Sequence, residues 1–149
     1  MEGIGLSAQS GVAIKVAALD AVVAHALAAR PDECCGMLVG SSNRIDEAWR
    51  ARNISDRPAT RFLIDPADHF AALKDARRRG LDVVGFYHSH PRSSAEPSAT
   101  DLSEASYPDH LFLIVGCGGG EANVRLFRFV GTGLTSGGNF QPTPFVRVP

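Results

Sequence analysis

His88, Ser89, His90 and Pro91 are followed, after six intervening residues, by Ser98 and then by Asp101. Two imidazoles and a carboxylate are a donor set for a divalent metal, and the elements that carry them decide whether they can meet. Residues 82–90, Asp-Val-Val-Gly-Phe-Tyr-His-Ser-His, are apolar and β-branched enough for a buried strand. Alternate side chains of a strand share a face, so His88 and His90 point the same way. The segment from Pro97 reads as a helix start that sets Ser98 and Asp101 on one side of its first turn. A strand end with two histidines and a helix start with an aspartate make a three-ligand N2O site for one zinc ion per chain. Three protein ligands leave the fourth position of tetrahedral zinc open, which is the catalytic arrangement.

Each piece also has a plainer reading. Ser98-x-x-Asp101 is an imperfect capping box, with Ser98 as N-cap and an acid three residues on. A His-x-His pair at a strand end can simply be two polar residues leaving a sheet. Glu96 and Glu104 are the carboxylates nearest in sequence for a general base. Cys34 or Cys35 with a histidine would instead make a cysteine hydrolase, although that leaves the spacing of the histidines, Ser98 and Asp101 without a purpose.

The chain around these residues has 149 residues, 44% of them apolar and 21% charged, the composition of one globular domain spanning 1–149. A net charge of -1 offers no bulk attraction to nucleic acid or an anionic membrane. No stretch approaches the roughly 18 apolar residues of a membrane span. Three cysteines, Cys34, Cys35 and Cys117, are an odd number without metal-knuckle spacing, as expected of reduced thiols in the cytoplasm.

Periodicity predicts a strand over residues 12–16 and a helix with Leu19, Val22, Val23, Ala26 and Leu27 on its apolar stripe, stopped by Pro31. His25 falls on the polar side of that helix. Strands follow over 36–40, 45–52 and 62–64, and Asp65-Pro66 opens a helix that runs to the basic end Arg77-Arg78-Arg79. His69, in its first turn, is read as a surface side chain. After the histidine strand and the short helix come strands at 111–115 and 124–130, joined by the glycine turn from Gly116. From about residue 131 the chain reads as a loose tail, except for an edge strand near Phe145. Strands and helices mixed without a βαβ rhythm imply an α/β sandwich with a mixed, mostly antiparallel sheet flanked by helices.

The spacing His-x-His-Pro, six residues, Ser-x-x-Asp resembles the signature of the JAMM (MPN+) metalloprotease family. Pro31-Asp32-Glu33-Cys34-Cys35-Gly36 with the apolar run to Gly40 is similar to that family's early strand, and the likeness extends over most of residues 13–130. Phe86 stands where many relatives have Trp. The resemblance implies the MPN-like (cytidine-deaminase-like) fold, zinc on His88, His90 and Asp101, Glu33 as general base and Ser98 as a donor to the oxyanion. It also implies hydrolysis after the C-terminal Gly-Gly of a ubiquitin-like or sulfur-carrier protein. The chain is similar to the compact prokaryotic branch that releases cysteine from a carrier, with self-association into a homodimer left open. The alternative within the same fold is a catalytically silent scaffold, which usually lacks a ligand.

Overall fold

The computed structural model describes residues 11–99, 101, 110–131 and 138–149. Eight strands and two helices follow one another along these residues: β1 Val12–Lys15, α1 Val16–Ala29, β2 Cys35–Ser41, β3 Arg44–Ala51, α2 Pro66–Arg78, β4 Asp82–His90, β5 Leu111–Gly116, β6 Asn123–Gly131, β7 Gly138–Pro142 and β8 Phe145–Val148. The sheet order is β7-β6-β5-β4-β2-β3-β1-β8. Pairing is parallel between β4 and β5, β1 and β3, and β1 and β8, and antiparallel elsewhere, as a mixed sheet requires.

The helices sandwich the sheet because its two faces carry different apolar sets. Ala18, Leu19, Val22 and Ala26 of α1 pack with Cys34, Leu38, Tyr87 and Leu113. Ala72 and Ala76 of α2 pack with Cys35, Met37, Phe86 and Phe112. Small residues on α2 let it lie close to the strands, and Asp65 caps it by accepting the Ala67 N–H at 2.9 Å. At its other end Arg79 forms a two-pronged pair with Glu47 of β3, at 2.8 and 2.9 Å. The basic helix end thus ties α2 to the sheet instead of being merely solvated.

Several expectations need correction, among them Leu27, expected on the apolar stripe of α1 but 41% exposed. His25 is half-buried, with its Nδ1 2.7 Å from the Tyr87 hydroxyl; burial, with Arg50 nearby, lowers its pKa to about 4. A phenol 62 residues away decides its environment, which helix periodicity cannot register. Residues 62–64 form no strand, only an isolated bridge between Asn53 and Ile64: backbone bonds join Asp65 N–H to Arg52 O and Ile54 N–H to Leu63 O, while the Asn53 side chain takes the Leu63 N–H and the Arg61 carbonyl. The stretch after Gly131 is not loose among its described residues. Gly138–Pro142 pairs with β6, and Phe145–Val148 forms the expected edge strand, on β1. Only Thr143 and Pro144 separate these two strands, which lie at opposite ends of the strand order. The sheet is rolled far enough for its edges to meet at this corner, where Val12 N–H donates to Pro144 O at 3.1 Å and Thr143 N–H to Leu126 O at 2.9 Å.

Candidate metal centre

β4 ends in the middle of the sheet with Phe86 on the face that packs under α2, and alternation from there brings His88 and His90 to one point on that face. Their Nε2 atoms lie 3.2 Å apart. The Asp101 carboxylate closes the triangle, with Oδ1 3.1 Å from His88 Nε2 and Oδ2 3.1 Å from His90 Nε2. All three side chains are withdrawn from solvent, none more than 7% exposed. Metal–ligand bonds of about 2.0–2.1 Å at the tetrahedral angle demand donor–donor edges of roughly 3.3 Å. The cluster therefore has the donor chemistry and nearly the spacing of a three-ligand metal site.

The surroundings fix which atoms face inward. His90 Nδ1 lies 2.8 Å from the Ser94 carbonyl and donates to it, which leaves Nε2 as the nitrogen that faces the cluster, the usual role of an outer hydrogen bond at a metal-binding imidazole. Phe62 stacks on the His88 ring at 4.4 Å between centroids. Burial lowers the His88 pKa despite Asp101. For His90, burial is outweighed by Asp101, the Ser94 carbonyl and the charge of Glu33, and its pKa rises. Burial would raise Asp101, but hydrogen bonds from both histidines hold its carboxyl well below the usual range.

Asp101 reaches the histidines through the very capping box that competed with the metal reading. Ser98 Oγ accepts the Asp101 N–H at 3.0 Å, and Asp101 Oδ2 accepts the Ser98 N–H at 2.9 Å. Both readings hold at once, since the cap orients the carboxylate toward the imidazoles. Ala99 and Asp101 are helical, and the rest of that expected helix, with Glu104, lies outside the described residues.

Gly116 matters to the same geometry. A Cβ there would stand 2.3 Å from the Ala95 nitrogen and 2.5 Å from the Ser94 carbonyl carbon. Only a glycine lets the loop after β4 lie against β5 and hold Ser94 under His90. Gly116→Ala is expected to lower the melting temperature, overpacking of this kind costing roughly 1–3 kcal/mol. It should also weaken metal binding, and titration of the metal-depleted protein with zinc checks this; unchanged affinity would show that Ser94 does not orient His90.

Glu33 is buried, 7% exposed, just before β2. Cys35 pairs with His88, and Cys34 exchanges bonds with Ser89: Ser89 N–H donates to Cys34 O at 3.2 Å, and Cys34 N–H to Ser89 Oγ at 2.9 Å. This register carries Glu33 to the level of His90, and alternation puts it with Cys35 on the face that holds the histidines. Glu96 is exposed and paired with Arg125, away from this role. Cys34 lies in the core under α1, and burial pushes the Cys34 and Cys35 thiols up to about 11 and 12, so neither is a thiolate nucleophile at neutral pH.

A cleft of about 810 Å³ opens onto His88 and Asp101, walled by Phe62, Leu63, His69, Phe86, Phe112 and Phe140. His69 belongs to this wall, its ring edge-on to Phe86 at 5.2 Å between centroids, and is not the surface side chain expected. Sequence reading missed Phe62, Asn53 and the Ser94 carbonyl. Phe62 stood inside a segment taken for a strand, and an asparagine soon after a strand signals only a turn.

Residues 15–130 match the model of prokaryotic homologs of the JAB domain. The chain belongs to this family. Desampylase of Haloferax volcanii is 35% identical over 111 residues, covering 70% of this chain and 80% of that protein. CysO-cysteine peptidase of Mycobacterium tuberculosis is 32% identical over 104 residues, 68% of this chain and 70% of that protein. A solution structure from Desulfitobacterium hafniense aligns with a TM-score of 0.78 at 25% identity, covering 92% of both chains. A JAB1/MPN domain protein from Archaeoglobus fulgidus, 23% identical with a TM-score of 0.55 over 91% of this chain and 99% of that one, shares the fold. The JAMM resemblance and the expected MPN-type α/β fold are met by these likenesses, and with its peptidase relatives the chain is a JAMM-type hydrolase.

Proposed function

We propose that this JAB-family chain is a zinc peptidase that hydrolyses the bond after the C-terminal Gly-Gly of a ubiquitin-like or sulfur-carrier protein. The observation that carries the proposal is the convergence of His88, His90 and Asp101 within 3.1–3.2 Å, at the end of an aromatic-walled cleft. Zinc held by these three would supply Lewis acidity, polarising a carbonyl and acidifying water. Glu33, on the histidine face, takes the proton of the attacking water and hands it to the leaving amine. Ser98 Oγ, which already accepts the Asp101 N–H, keeps its own O–H to donate to the developing oxyanion. The three free buried cysteines fit a reducing cytoplasm.

An extended tail without side chains suits the approach to a buried cluster, because glycine lets backbone come close where a Cβ would collide. The relatives support this partner class: one is named a CysO-cysteine peptidase, another a desampylase. Carrier fusions ending Gly-Gly-X, Gly-Leu-X and Leu-Gly-X should separate sharply when products are weighed by mass spectrometry. Release of the Gly-Gly carrier is expected, with the residue before the cut bond the more demanding of the two. Equal cleavage of all three would sink the tail proposal and leave a general peptide hydrolase.

A further inference from the structure

Asn53 stands two residues beyond β3, and its one amide engages four segments of backbone. Oδ1 accepts the Ser55 N–H at 3.1 Å and the Leu63 N–H at 3.0 Å. Nδ2 donates to Glu33 O at 3.0 Å and Arg61 O at 3.0 Å, with Pro58 O at 3.5 Å. The Glu33 N–H in turn donates to Pro58 O at 2.7 Å. An asparagine that only made its own turn would need the Ser55 bond alone. Here the donors cross to the strand entry that carries Glu33, and to the neighbours of Phe62, whose ring lies on His88.

We infer that Asn53 is a positioning residue that holds the backbone of Glu33 and the Phe62 wall of His88 in one piece. The inference rests on the reading of Glu33 as general base. Its physical content is that both peptide bonds of Glu33 are clamped to the loop 53–63, the preceding one through Pro58 and the following one through Asn53. Release of the second clamp lets the carboxylate drift relative to the water it must deprotonate. A misplacement of about 1 Å at such a group can cost on the order of 100-fold in rate.

The test is Asn53→Asp, which preserves an acceptor for Ser55 and Leu63 but sets a carboxylate oxygen against the Glu33 and Arg61 carbonyls. Metal content, kcat and KM are measured on the zinc-loaded protein with a Gly-Gly carrier fusion. Tyr87→Phe, which loses the hydroxyl beside His25 on the opposite face of the sheet, controls for stability loss alone. The expected result is about one metal per chain, KM within roughly threefold of wild type and kcat down by at least about tenfold, with Tyr87→Phe near wild type. In a Glu33→Asp background, where the base is already displaced, the same change should cost less than about threefold.

Wild-type kcat in Asn53→Asp overturns the inference. So does an equal loss in both backgrounds, or a loss explained wholly by missing metal. Normal turnover by Glu33→Gln would instead overturn the base assignment beneath it, whatever Asn53→Asp does. Should Asn53→Asp fail to fold, Asn53→Ser, which cannot span to Glu33 O, is held to the same criteria.

Discussion

His88→Ala and Asp101→Ala are each expected to yield protein that folds but is purified with almost no metal, against about one ion per wild-type chain. Each removes one of three donors that sit 3.1–3.2 Å apart, and two ligands cannot hold a divalent ion as three do. Loss of an outer hydrogen-bond partner at a metal site typically costs about 10–100-fold in affinity, so loss of a ligand should exceed that. The variants differ in their side effects. Asp101→Ala also leaves the Ser98 N–H without its acceptor, a cap loss of about 1 kcal/mol. His88→Ala removes the ring under Phe62 and opens space in the cleft wall. Elemental analysis decides the matter, and full metal in both variants would move the site elsewhere.

Glu33→Gln is expected to fold and to keep its metal, yet to lose about 10²–10⁴ in kcat, the span attributed to general acid–base catalysis. The amide has the shape of the carboxyl and the same buried place on the strand entry, but it cannot accept the proton of water. Its loss of charge should be felt at His90, whose pKa Glu33 helps raise. Steady-state kinetics on the metal-loaded variant is the check. Turnover close to wild type would remove Glu33 as base, and loss of metal along with activity would make it part of the metal cradle instead.

What the sequence made legible was whatever repeats with a local period or terminates an element. The run 82–90 is apolar and β-branched and ends in His-x-His, so β4 and the shared face of its histidines could be read directly. Asp65-Pro66 announces a helix start, and α2 begins there. Glu33 was different, since nothing in a gap of 55 residues to His88 implies contact. Its assignment came from the family resemblance, and the register of Cys35 on His88 is what brings it to the histidine face. Residues 62–64 were misread as a strand because the Asn53 amide takes the Leu63 N–H and the Arg61 carbonyl, and a single side chain leaves no pattern. β7 was missed for a related reason: Gly138-Asn-Phe-Gln-Pro has little β-branched character, and β6 supplies the pairing from outside the segment. His69 and His25 were placed by aromatic partners distant in sequence, Phe86 and Tyr87.

The most direct test of a metal-dependent, tail-specific peptidase is the mass of the products formed from one Gly-Gly-X carrier fusion, with and without phenanthroline. The account predicts a carrier ending at Gly-Gly in the untreated reaction, no product after chelation, recovery on adding zinc, and little change when Cys34 and Cys35 are both replaced by serine. Cleavage that persists in chelator, or a cut at some other bond, would contradict it.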